Sequence, residues 1–83
     1  MKYYVARRSP IDGVQFQMRK CLDTKWCFAE YLLKHPEDVW QFSKQGAVKI
    51  LKRYQEAENR KKWGIRFEYF IVPVNEVIKE GDT

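Results

Sequence analysis

Residues 43–60 read SKQGAVKILKRYQEAENR, and this stretch decides the fold. Ala47, Ile50, Leu51, Tyr54 and Ala57 recur at spacings of three and four, which in an α-helix gathers them into one apolar stripe. Ser43 supplies the hydroxyl that accepts a free N–H of the first turn, and Gly64 stands where a C-terminal glycine would stop the helix. At 100° per residue Lys49, Lys52, Arg53 and Arg60 fall on the opposite side, with Glu56 among them as an i,i+4 partner. A helix with a single apolar stripe needs one surface to cover, so the rest of the chain has to provide that surface.

The flanking segments read as strands. Lys2 to Arg8 (KYYVARR) is rich in aromatic and β-branched residues, and Ser9-Pro10-Ile11-Asp12-Gly13 carries the turn chemistry of a hairpin. Val14 to Lys20 alternates, with Val14, Phe16 and Met18 on one face and Gln15, Gln17 and Arg19 on the other. A second turn at Cys21 to Lys25 leads into Trp26 to Leu33 (WCFAEYLL), read here as a third strand, although a helix capped by Asp23 is the alternative. His35-Pro36 ends whichever element precedes it, because the residue before proline is pushed out of the helical region. Ile65 to Val74 (IRFEYFIVPV) reads as a further strand whose end, at Pro73, lies at a sheet edge or beyond the ladder, and residues 75–83 are expected to fray. The fold class is therefore α+β: an antiparallel sheet of three or four strands with one amphipathic helix packed on one face.

A chain of 83 residues makes one domain, 1–83, and buries only about 60 to 65% of its unfolded surface. Three tryptophans, five tyrosines and five phenylalanines supply most of that core. Two cysteines are too few for a disulfide scaffold, no basic-then-apolar leader opens the chain, and no apolar run approaches the ~20 residues of a membrane span. The expectation is a complete small open reading frame whose product works in the cytoplasm and not in a membrane.

The formal charge of +5 is concentrated. From Ser43 to Gly64 seven bases (Lys44, Lys49, Lys52, Arg53, Arg60, Lys61, Lys62) face only Glu56 and Glu58, a local excess equal to the net charge of the chain. Phosphates are the natural partners of such a surface, and Arg60-Lys61-Lys62-Trp63 sets an aromatic ring beside three cations, a pairing suited to unstacked bases. The bland alternative is an ordinary solvated helix face, with Trp63 capping the core.

Catalytic chemistry finds little footing. A zinc site from Cys21, Asp23, Cys27 and His35 lacks both a compact knuckle spacing and a second ligand pair. The single histidine, His35, has no third group to orient it toward Cys21, Cys27 or Ser43, and no glycine-rich phosphate loop occurs. No catalytic residue, metal or cofactor is expected, and the chain reads as non-enzymatic.

Several segments together resemble a loose class of small accessory proteins of phages, prophages and other mobile elements. They are the KYYVARR strand with its glycine turn, Trp26 after the second strand, Asp38 to Ser43 (DVWQFS) running into Ala47 and a basic helix, and the closing Ile71 to Val74 (IVPV). The resemblance implies a protein that docks on a host protein or nucleoprotein complex in the host cytoplasm, as an inhibitor or anti-defence factor. Aromatics such as Tyr3, Tyr4, Trp26, Trp40 and Tyr69 exceed what one side of a small sheet can bury, so some of them are expected to form a binding patch, with homodimerisation through the same surface as the alternative. Direct binding of DNA or RNA is the competing function. In either case the expected contact face is Lys49, Lys52, Arg53, Arg60, Lys61 and Lys62, with Trp63 beside them.

Overall fold

The computed structural model describes residues 1–19 and 25–77. The elements run β1 (Tyr3–Ser9), β2 (Gly13–Gln17), β3 (Trp26–Phe28), α1 (Ala29–Lys34), a 3-10 turn (Pro36–Asp38), α2 (Lys44–Arg60), β4 (Glu68–Pro73) and the short α3 (Val74–Val77). The four strands form one antiparallel sheet in the order β3-β2-β1-β4, so the expected α+β architecture is present.

The β1–β2 hairpin closes where the turn residues place it. Its loop is held by the Ser9 hydroxyl, which accepts the N–H groups of Ile11 (3.1 Å) and Asp12 (3.2 Å). Gly13 then sits at φ +83°, a conformation in which a side chain would be strained.

Alternation along β1 sends side chains to two different cores. Tyr4 and Ala6 join Phe16 of β2, Cys27 of β3, Leu32 of α1 and Val39, with Met18, Phe70, Val72, Val74 and Val77 packed around them. Val5 joins Phe42 and Ala47, surrounded by Tyr3, Trp26, Ile50, Tyr54 and Ile71. Helix α2 covers the second face, as its stripe requires. The first face is covered by α1, Val39 and α3, so helices pack on both faces of the sheet and not on one alone. Both sheet faces are thus buried, which explains the uninterrupted apolar run Tyr3 to Ala6.

The block Trp26 to Leu33 is not one strand. It divides after Phe28, and the helix that follows has Phe28 at its cap position with no side-chain bond. The alternative cap, Asp23, and the turn around it lie outside the described residues, as do Lys20 and Cys21. Helix α1 stops at Lys34, one residue before the His35-Pro36 step. From there Asp38 to Phe42 wedges between the diverging ends of β1 and β2. The N–H of Arg19 donates to the Asp38 carbonyl (2.7 Å), that of Trp40 to Gln17 (3.2 Å), and Phe42 and Tyr3 exchange a pair of backbone bonds at 2.8 Å.

Three further expectations are corrected. Ala57 is exposed, and Glu58 takes its place beneath the helix, so the inward stripe runs Ala47, Ile50, Leu51, Tyr54, Glu58. Gly64 does not cap α2, which ends at Arg60 with Lys61 in an extended conformation; Gly64 bends the following loop at φ +102°. Residues 74–77 are helical, with Val74 and Val77 against the core, so that part of the tail is not frayed. Pro73 ends the edge strand β4, as expected.

Ser43 caps α2 as its position suggests, its hydroxyl accepting the Gly46 N–H at 3.2 Å. Ser43→Ala should therefore cost about 1 kcal/mol, read as a fall of roughly 4 to 8 °C in the melting temperature by circular dichroism. An unchanged melting curve would show that water replaces the cap at no cost.

Candidate functional site

The solvent face of α2 is set by the packing beneath it. With Ala47, Ile50, Leu51, Tyr54 and Glu58 turned to the sheet, Lys49, Lys52, Arg53 and Arg60 are carried outward, and all four are exposed. Lys62 and Trp63, just past the helix, are exposed as well. Among the described residues none of these five cations forms an ion pair, and Glu56 is not within bridging distance of Lys52 or Arg60. The expected i,i+4 neutralisation is absent. The outer face therefore sets four exposed helix cations against the single carboxylate of Glu56.

Lys61 belongs elsewhere. Its ammonium lies 3.5 Å from a Glu58 carboxylate oxygen, donates to the Ile65 carbonyl, and stands 4.9 Å from the centre of the Phe67 ring. It holds the loop and is drawn away from the outer face.

Glu58 and Arg66 complete that arrangement, and neither was singled out by sequence. The Glu58 side chain is only 13% exposed. It accepts the Phe67 N–H (3.2 Å), while Arg66 donates to the carbonyls of Glu58 and Lys61, both at 2.7 Å. Arg66 thereby satisfies two carbonyls at the end of α2 and meets the negative end of its dipole, the role expected of Gly64. The signal for Glu58 was present: 47, 51, 54 and 58 continue one helical stripe, so an acid at 58 must be buried and paired. Glu58→Ala should cost about 1 to 3 kcal/mol, because it strips an N–H and two cations of their acceptor. Glu58→Gln should lose less, since its carbonyl still accepts from Phe67. Thermal melts of the two variants check the order, and equal melting of Glu58→Ala and the parent chain would refute it.

The aromatic residues named as a surface patch are mostly internal. Tyr4 is fully buried, and Tyr3, Trp26 and Tyr69 are half-buried beneath α2, where Trp26 packs on Tyr54 and Tyr69. Arg7 lies between the rings of Trp26 (4.5 Å) and Phe67 (4.3 Å) and donates to Gln15 at 2.9 Å, so this cation serves the fold. Trp40 is partly exposed but stacked on Phe42. Phe28, Tyr31 and Leu33, at the β3–α1 junction, are among the exposed apolar side chains, and Phe28 and Tyr31 line a groove of about 520 Å³ with Met18, Trp26 and Cys27 and the polar Glu30, Lys34 and His35.

Burial pushes the Cys27 thiol up, the opposite of the shift that activates a nucleophile. Burial also raises Tyr4 and Tyr69, and the bond from the Tyr31 hydroxyl to Asp38 (2.7 Å) raises Tyr31. Of the four groups weighed for zinc, Cys27 is buried in the first core and His35 is exposed, while Cys21 and Asp23 lie outside the described residues. His35, Glu37 and Asp38 bring possible ligand atoms within 4.8 Å of one another, but Tyr31 already occupies Asp38 and His35 faces Glu37 at 3.6 Å. Among the described residues no helix is long and apolar enough to cross a membrane.

Compared with known protein families, curated proteins and solved structures, the chain matches no family model, no protein and no structure.

Proposed function

We propose that this chain is a non-enzymatic binding protein that docks on nucleic acid through the solvent face of α2. One observation carries the reading: Lys49, Lys52, Arg53, Arg60 and Lys62 are exposed on or just beyond one helix face and, among the described residues, lack carboxylate partners. Unpaired cations at that density release counterions when they meet phosphates, which gives affinity without sequence preference. Titration of labelled single- and double-stranded DNA and RNA, followed by fluorescence anisotropy at two salt concentrations, tests it. Micromolar binding that weakens with salt is the expected result. An absence of binding at low salt would refute it.

A second reading, a phage-type accessory factor docking on a host protein, is favoured by the exposed Phe28, Tyr31 and Leu33 at the β3–α1 edge of the sheet. A host nucleoprotein complex would engage both surfaces, its nucleic acid on α2 and its protein on this apolar edge.

A further inference from the structure

We propose, resting on the reading of α2 just given, that the nucleic acid is single-stranded and that Trp63 is the platform on which one of its bases stacks. Trp63 is 85% exposed, whereas Trp26 packs on two tyrosines and Trp40 on Phe42. Among the described residues its indole makes no aromatic or cation–π contact. Core capping therefore does not account for it.

The loop that carries this bare ring is tied down on both sides. Lys61 holds the Ile65 carbonyl and the Glu58 carboxylate, and Arg66 holds two carbonyls of the helix end. Gly64 makes the bend between them at φ +102°, with a Cβ strained at that angle. An indole on an ordered backbone is pre-organised to stack, because little freedom is lost when a base arrives.

Trp63 follows the cations along the chain, just past the Arg60 end of α2. Lys49 and Arg60 are separated by about 16 Å at 1.5 Å per residue, the length over which a stacked single strand presents about five phosphates. A strand following Lys49, Lys52, Arg53 and Arg60 then meets Lys62 and Trp63 at the helix end. A closed duplex offers the same phosphates, but its base faces are covered by their neighbours, so the indole would contribute nothing to it. Stacking on a single ring accepts any base, and no sequence preference is expected.

The test titrates the full chain, Trp63→Ala and Trp63→Phe with a labelled oligothymidylate and with a duplex of equal length. Trp63→Ala should weaken binding to the single strand by about 5- to 150-fold, the range that removal of one stacked base produces. Trp63→Phe should recover most of it, and duplex affinity should stay within two-fold for both. Tryptophan emission should be quenched by oligothymidylate in the parent chain and much less in Trp63→Phe. Single-strand affinity unchanged in Trp63→Ala, or an equal loss on the duplex, overturns the stacking role while leaving the docking of α2 standing. Failure of the parent chain to bind any oligonucleotide, with Trp63-dependent binding to phosphatidylserine vesicles, overturns both.

Discussion

Lys52→Glu combined with Arg53→Glu is expected to lower affinity for a single-stranded oligonucleotide by roughly 100-fold at low salt and to flatten the slope of log K against log salt by about 1.4. Each phosphate neutralised on a single strand contributes about 0.7 to that slope, and the double variant removes two such contacts. At roughly 50 mM salt two lost contacts amount to nearly two powers of ten, and the reversed charges add repulsion to the loss. Both side chains are exposed and without ion-pair partners among the described residues, so the fold does not depend on them. Glutamates at 52 and 53 add two like-charge pairs with Glu56, at i,i+4 and i,i+3, each worth about 0.2 to 0.5 kcal/mol, partly offset by the new i,i+4 pair of Lys49 with glutamate at 53. The melting temperature should therefore move by no more than a few degrees.

A charge-matched control separates the helix face from net charge. Lys25→Glu with Lys34→Glu makes the same change in total charge; Lys34 lies on α1, which packs on the opposite side of the sheet from α2. If binding were a matter of the overall +5, the two double variants would behave alike. If α2 is the interface, the control should retain most of the affinity and nearly the full salt slope. Loss of less than three-fold in the α2 variant would remove this face from consideration.

What sequence made legible follows from what each signal measures. The stripe of α2, its Ser43 cap, the β1–β2 hairpin and the edge position of Pro73 are local, and each is present. Helical geometry also carried the four outer cations to solvent without any knowledge of tertiary contacts. Lys61 departed from its expected place because the reading ran on past Arg60 as if the chain stayed helical, whereas its ammonium answers Glu58, three residues back, and Ile65, beyond the loop. Gly64 was credited with ending the helix because a glycine is the usual local stop. The helix end is instead satisfied by the Arg66 guanidinium, which reaches back from the far side of the loop. The second layer of the fold was missed for a similar reason. Tyr3 to Ala6 is apolar at every position, the mark of a strand buried on both faces, but the elements that cover the first face are short and lie far apart in sequence.

Leu32→Ala should produce the largest loss of stability among these substitutions. Leu32 has no exposed surface and packs in the core with Tyr4, Phe16, Cys27 and Val39. Truncating a fully buried leucine costs about 2 to 5 kcal/mol through lost transfer energy and the cavity left behind. A domain of this size holds roughly 4 to 12 kcal/mol in total, and each kcal/mol moves its melting temperature by about 4 to 8 °C. A fall of at least about 8 °C is therefore expected, with partial unfolding at physiological temperature at the upper end. Leu33→Ala is the internal comparison, since Leu33 is 59% exposed and should shift the melt by only a degree or two. The pair also discriminates between the two readings of Trp26 to Leu33. A continuous strand would place Cys27 and Leu33 on one face and Leu32 on the other, so the buried Cys27 would bring Leu33 with it. Turning the chain into a helix at Ala29 puts Leu32, five residues beyond Cys27, into the same core, which no period of two can do. A greater loss for Leu33→Ala than for Leu32→Ala would restore the strand and remove α1 from the layer that closes the sheet.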